Sequence, residues 1–257
     1  MPAISAATSV EPAAPPLGPA IDIDATNAVL DTYDPPAVVN WAARTFGDQL
    51  VMSSSFGAES ALLIHMAIRA VPNIRIIVSD TGYLFPETHQ FLEQLRLRFN
   101  LNIWIYRSRQ DPIRYLAEAG ETDPTIRNNV EACCAINKNE PFDRAMRELA
   151  PAGWLRGIRR NQADTRATRK IVEWSRRFNC YAISPLLSWT QRDIHRYMKQ
   201  HDLPYHPLYE KGYASIGCNP LTCTRPIQLG DDPRAGRWAG TNKLECGLHL
   251  ESEGSGI

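Results

Sequence analysis

No apolar run in this chain of 257 residues approaches the ~18 residues of a membrane span; the best stretch, Ala61 to Ile68, is short and contains His65. Charge of one sign is also missing. Twenty-eight basic residues balance 28 acidic ones, which removes the bulk electrostatics of a nucleic-acid binder and leaves room only for a local basic patch. No Lys or Arg precedes Arg44, so the charged start of a secretory signal and the Arg-rich character of a transit peptide are both lacking, and the cytoplasm is the expected compartment. Six cysteines are too few and too far apart for a secreted disulfide scaffold. There is no internal repeat. With 44% hydrophobic and 22% charged residues, wholesale disorder and collagen-like structure are excluded.

Three stretches are expected: a disordered extension over 1–34, an α/β domain over 35–215, and a mobile arm over 216–257. The first twenty residues hold six Ala and five Pro and show no periodic apolar face. Helices are predicted at Ala37 to Phe46, Glu59 to Ala70 and Pro86 to Phe99. Strands are predicted at Gln49 to Ser55, Ile74 to Ser79, Leu101 to Tyr106, Trp154 to Ile158 and Tyr181 to Ser184. Thr190 and Asp193 form a capping-box start for a helix to about His201. Such alternation implies a parallel, twisted sheet with helices on both faces. From Leu203 onward the periodicity dissolves into Pro, Gly and Tyr.

Five groups of residues carry chemistry. Between the first strand and its helix stands Ser53-Ser-Ser-Phe-Gly-Ala-Glu-Ser60, where small hydroxyl residues and Gly57 let backbone N–H groups approach an anion beside a helix N-terminus. A Walker A lysine is missing from it, and a plain Ser-rich turn is the competing reading. Next comes Ser79-Asp80-Thr81-Gly82 at a strand end. It suits a ribose or a base, but taken alone it reads better as a turn capped by Asp80 with a positive φ at Gly82.

The third group is Cys133-Cys134 with Cys218 and Cys223, four thiols suited to zinc or an iron–sulfur cluster. Adjacent cysteines diverge too much to bind one tetrahedral ion, whereas a cubane offers each a different iron, so a [4Fe–4S] cluster is the preferred ligand. Cys180, inside a predicted strand, is packing. Fourth is Cys246 in the tail, with Lys243 and His249 nearby to favour thiolate; it is either a nucleophile or an incidental surface thiol. The fifth is basic: Arg156, Arg159, Arg160, Arg166, Arg169 and Lys170, then Arg225, Arg234 and Arg237. This density suits a small polyanion, the alternative being a solvated face.

Taken in order, these stretches resemble the assimilatory adenylyl-sulfate and phosphoadenylyl-sulfate reductases, relatives of the pyrophosphatase-loop ATPases. The matching residues are Ser-Ser-Phe-Gly-Ala-Glu-Ser at 54–60, Asp-Thr-Gly at 80–82 and Arg159-Arg-Asn-Gln-Ala-Asp-Thr-Arg166. They continue with Leu203-Pro-Tyr-His-Pro-Leu208, Gly212-Tyr-Ala-Ser-Ile-Gly217, Arg234-Ala-Gly-Arg237-Trp and Glu245-Cys246-Gly-Leu-His249. The resemblance runs from about residue 37 to 250. It implies an adenine-nucleotide-binding fold in which Cys246 attacks the sulfuryl group, AMP leaves and a cysteine S-sulfonate forms. Thioredoxin, or a glutaredoxin-like dithiol, then releases sulfite. Catalytic roles fall to Cys246, Lys138 and His249. Substrate binding falls to Ser53, Ser54, Ser55, Gly57, Ser60, Asp80, Thr81, Gly82, Arg166, Arg234 and Arg237. Cluster ligation falls to Cys133, Cys134, Cys218 and Cys223. Neither nucleic acid nor membrane is an expected partner; a homo-oligomer is open.

Within the family, four cluster cysteines mostly accompany adenylyl sulfate, and cluster-free members use the 3′-phosphorylated form. Adenylyl sulfate is therefore the expected substrate, with phosphoadenylyl sulfate or dual use as the alternative. Two residues depart from the pattern: the second cysteine pair is Cys218-x4-Cys223, two residues longer than usual, and Asn137 replaces a basic residue as in the cluster-free branch. Ala58-Glu59 stands where the ATP pyrophosphatases carry Lys-Asp, which disfavours a nucleotide-activating ligase. Cys246 in its full context disfavours a protein that only binds.

Overall fold

The structure is a computed structural model and describes residues 18–118, 120, 129–219, 223–228, 231–232, 234–241, 243, 245 and 247–248. Six strands form one sheet: β1 (Leu50–Ser53), β2 (Arg75–Asp80), β3 (Asn102–Arg107), β4 (Gly153–Leu155), β5 (Val172–Ser175) and β6 (Cys180–Ile183). Their order is β3-β2-β1-β4-β6-β5, parallel throughout except for β5, which runs antiparallel to β6.

Alternation along the strands sends side chains to opposite faces. Met52, Ile76, Val78, Leu155 and Ile183 join one core, and Val51, Ile77, Trp154 and Ala182 join another. The first core is covered by α1 (Ile23–Leu30), α2 (Pro35–Phe46), α3 (Ser60–Ala70), α4 (Pro86–Phe99) and α8 (Gln191–Gln200). The chain also forms α5 (Pro112–Glu118) and α6 (Val130–Cys134). A π-helical turn, Ala135–Asn139, then leads into α7 (Glu140–Leu149), whose Phe142, Ala145 and Met146 cover the second core. Helices on both faces of a mostly parallel sheet are thus observed as expected. Helix α8 starts at the predicted capping box, with Thr190 and Asp193 bonding each other's backbone N–H.

Order begins earlier than Pro35, which corrects the expected boundary. Asp22 caps α1, and buried Asn27 on that helix behaves as a strand partner for β5: its Nδ2 donates to the Val172 carbonyl at 2.9 Å and its Oδ1 accepts from the Val172 N–H at 2.9 Å. This side chain satisfies backbone groups on the free edge of β5, a place where unpaired strands are otherwise vulnerable. Strand β5 itself, α1 and the α6–α7 segment went unpredicted. The described residues of the arm pack onto the body, with Cys218 bridging to Leu84 and Cys223 and Trp238 buried beside Val130. Among the described residues no helix is long and apolar enough to cross a membrane.

Replacing Asn27 by Ala leaves the Val172 N–H and carbonyl buried without partners. The expected loss is about 1–3 kcal/mol of unfolding free energy, read as a lower urea midpoint with an unchanged m-value.

Candidate functional site

Strand order reverses beside β1: the chain moves outward through β2 and β3, then returns to place β4 on the other side. Ligands of parallel α/β sheets bind at such a point, beyond the carboxyl ends of the strands. Here a cavity of about 240 Å³ opens between the segment leaving β1 (Ser53–Ser55) and the one leaving β4 (Gly157–Arg159). The two strand ends are tied by Trp154 Nε1 donating to Ser53 Oγ at 2.8 Å.

The loop after β1 is held in a strained shape at Phe56 rather than at Gly57. Phe56 has φ +47°, its ring is fully buried, and its N–H donates to Ser54 Oγ at 3.1 Å. The buried ring pins a left-handed conformation that a non-glycine residue otherwise disfavours. Beyond it α3 starts with no side-chain cap; the Ser60 and Leu62 N–H groups turn back onto the Gly57 and Glu59 carbonyls, and the positive end of the helix faces the cavity. Glu59, at the capping position, instead takes Arg159 Nη1 at 2.9 Å together with Gln191. Ser53, Ser54, Ser55, Gly57, Ser60 and Thr81 all line the cavity.

Asp80 and Gly82 do not line it. The Asp80 carboxylate, 5% exposed, accepts from the Gly82 N–H at 3.1 Å and pairs with Arg107 Nε at 2.8 Å, while Gly82 takes φ +76°. These two residues build the turn that presents Thr81 to the cavity, and they themselves stand outside its lining.

Four of the expected cations reach the cavity: Lys138 from the π turn, Arg166 from the segment after β4, and Arg234 and Arg237 from the arm. Arg159 joins them. Of the other basic residues, Arg156 and Arg169 pair with Glu173, Lys170 pairs with Asp24, and Arg160 Nε donates to the Arg169 carbonyl at 3.1 Å. Arg166 is held by a buried carboxylate that the sequence did not single out. Glu245 Oε2 accepts from Arg166 Nε at 2.6 Å and Oε1 from Nη2 at 2.8 Å, and Arg234 Nη2 reaches the same Oε1 at 3.3 Å. Arg237 lies over the Trp238 ring at 4.6 Å and donates to the Cys223 carbonyl at 3.0 Å. Its guanidinium packs against Gly217, where a Cβ would come within 2.3 Å of it, so a larger residue there would push the guanidinium out of this position.

Cys246 and His249 lie outside the described residues. Cys134, Cys218 and Cys223 share an apolar cluster with Val130 and Trp238, and Cys133 is buried with its Sγ 3.7 Å from Asn137 Nδ2. Cys218 Sγ lies 3.3 Å from Thr81 Oγ1 at the cavity edge. Among the described residues no three Cys, His, Asp or Glu side chains converge as ligands of a single ion.

Residues 49–226 match the family model described as the phosphoadenosine phosphosulfate reductase domain. The chain belongs to that family. It is a sulfonucleotide reductase, of a family that acts in sulfate assimilation on small sulfated adenine nucleotides. Relatives carry both substrate names. The phosphoadenosine 5′-phosphosulfate reductase of Xylella fastidiosa is 41% identical over 241 residues, covering 94% of this chain and 98% of its own. The adenosine 5′-phosphosulfate reductase of Halalkalibacterium halodurans is 36% identical, covering 89% and 97%. Among solved structures, the phosphate complex of the phosphoadenylyl-sulfate reductase from Candida auris superposes with a TM-score of 0.66 at 26% identity, over 76% of this chain and 93% of that one. FMN adenylyltransferase from Candida glabrata, with FMN and an ATP analogue, gives 0.52 at 16% over 87% and 77%, a likeness of fold alone.

The reductase loop after β1 is braced from behind by His206. Its backbone N–H donates to the Ala58 carbonyl at 3.1 Å, Nδ1 accepts from the Leu208 N–H at 3.1 Å, and Nε2 therefore carries the proton toward Thr88 Oγ1 at 3.0 Å. Burial pushes its pKa down to about 4. In the unfolded chain the imidazole titrates near its ordinary value of about 6.5, so on acidification the unfolded state takes up the proton first. The His206 contribution is complete above pH ~6.5 and is lost as pH falls toward ~4. Urea midpoints measured across that window should fall with pH, and His206→Asn should flatten the slope.

Proposed function

We propose that this reductase transfers the sulfuryl group of both adenylyl sulfate and its 3′-phosphorylated form to Cys246. The observation that carries the reading is the convergence of Lys138, Arg166, Arg234 and Arg237 on a cavity over the uncapped start of α3. Those groups suit a phosphosulfate, which both nucleotides share. Relatives named for each substrate, four cysteines of the cluster-bearing kind and Asn137 of the cluster-free kind all favour dual use over strict preference.

The chemistry has two steps. The Cys246 thiolate attacks the sulfuryl sulfur, an S–S bond forms, and the S–O bond to phosphate breaks with its electron pair leaving on the nucleotide. Two anions must meet, and the cations lower that barrier by neutralising the phosphosulfate in a site shielded from water. A dithiol of the thioredoxin class then attacks Cys246 Sγ, sulfite departs with the S–S electron pair, and the second thiol of the dithiol resolves the mixed disulfide. The dithiol supplies both electrons and Cys246 returns as a thiol.

By their chemistry the four thiols suit an iron–sulfur cluster, and Cys134, Cys218 and Cys223 share one apolar cluster, while among the described residues no three of them converge on a single ion. Cys133, Cys134, Cys218 and Cys223 would hold it. When bound, it would tune the charge felt at Lys138, which stands four residues beyond Cys134.

Two measurements test these readings. Sulfite release with thioredoxin, run in parallel on the two nucleotides, should give kcat/KM values within about tenfold of each other, and Cys246→Ser should abolish both; a preference beyond about 100-fold would overturn dual use. Protein purified without oxygen should carry iron approaching one [4Fe–4S] cluster per chain and visible absorption, both lost in Cys134→Ser. Iron-free, colourless wild-type protein would remove the cluster from the reading.

A further inference from the structure

Arg177 lies in the turn between β5 and β6, outside the cavity lining. Its guanidinium stacks over the Phe178 ring at 5.0 Å and serves two elements at once. Nη2 donates to both carboxylate oxygens of Asp143 on α7, at 2.6 and 2.8 Å, and Nη1 donates to the Gly247 carbonyl at 2.6 Å. Gly247 also lies close to the side chain of Asn139, the last residue of the π turn that bears Lys138. A Cβ on Gly247 would come within 2.4 Å of Asn139 Nδ2, so a larger residue would have to displace the Asn139 side chain. Leu248, the next residue, packs against both the α7 core and the cysteine cluster.

We propose that Arg177 is a positioning residue for the reaction. It fixes the Gly247 carbonyl, on the residue that follows Cys246 in the chain, beside the helical segment that carries Lys138. The proposal rests on Cys246 being the nucleophile. It assigns Arg177 no contact with substrate and separates its work from that of Glu245, which anchors the preceding residue to the substrate arginines. Arginine is required because one rigid, planar fork must satisfy a carboxylate and a carbonyl together; a lysine supplies a point charge without that geometry.

The test compares wild type with Arg177→Lys and Arg177→Met. Single-turnover AMP release from adenylyl sulfate should slow by about 10- to 100-fold in both variants, the cost of a misplaced reacting group, while the dissociation constant for AMP stays within about twofold. A second readout needs no substrate. Trypsin cleavage after Lys243, followed by mass spectrometry of the 244–257 peptide, should run about tenfold faster once the tail is no longer held. Wild-type rates in both assays would overturn the proposal, as would AMP binding that weakens in step with the rate. If Arg177→Met fails to fold, Arg177→Lys decides, because it keeps the charge and loses only the fork. If wild type itself releases no AMP, the nucleophile assignment fails, and peptide release still decides whether Arg177 holds the tail.

Discussion

A carboxylate buried between two guanidinium groups ties the C-terminal segment of this reductase to its nucleotide crevice. Glu245 and Arg166 are each 5% exposed, and Arg234 completes the group. Taking such charges out of water costs several kcal/mol per ion, and their mutual attraction does little more than offset it. The arrangement is therefore poorly explained as a source of stability and well explained as a device of specificity. A misplaced tail would take the Glu245 carboxylate away from the buried Arg166 guanidinium, so the energy penalises departures from this register. On the proposed chemistry this matters because the residue after Glu245 is Cys246.

The sheet supplies the other half of the geometry. Parallel strands put their carboxyl ends on one edge, and the reversal of order beside β1 opens a crevice there. Separate segments then deliver cations into it: the segment after β4, the π turn before α7, and two points of the arm. A π turn inserts an extra residue into a helix and re-aims the side chains beyond it. In this chain it sits between Cys133–Cys134 and α7 and carries Lys138, so cysteine pair and lysine are held at a fixed offset by one short stretch of backbone.

What the sequence revealed was mostly local. Strand β1 and the loop behind it were legible because a buried apolar run ends in small hydroxyl residues, and α8 because Thr190 and Asp193 cap it. Helix α1 was not, since its burial depends on Asn27 meeting β5 across 145 residues of chain. Strand β5 hid for a similar reason: it is four residues long, and its Glu173 looks like a surface charge until Arg156 is seen beside it. In the site, composition pointed to Gly57 as the flexible position, while the strained angle falls on Phe56, whose ring had to be known as buried first. Asp80 belonged to the turn, as its local pattern already suggested. Glu245 and Arg177 show the limit most clearly, because each acquires its meaning from a partner about seventy residues or more away.

Charge in the crevice bears on substrate choice. Among the described residues, Lys138, Arg159, Arg166, Arg234 and Arg237 line the crevice, with Glu59 paired to Arg159 and Glu245 to Arg166 and Arg234. A phosphosulfate brings two negative charges and, on the proposed chemistry, an attacking thiolate adds a third, so the cations answer a need that both nucleotides share. Under that proposal a 3′-phosphate lies away from the reacting sulfur, and discrimination between the two nucleotides falls to groups that never touch it.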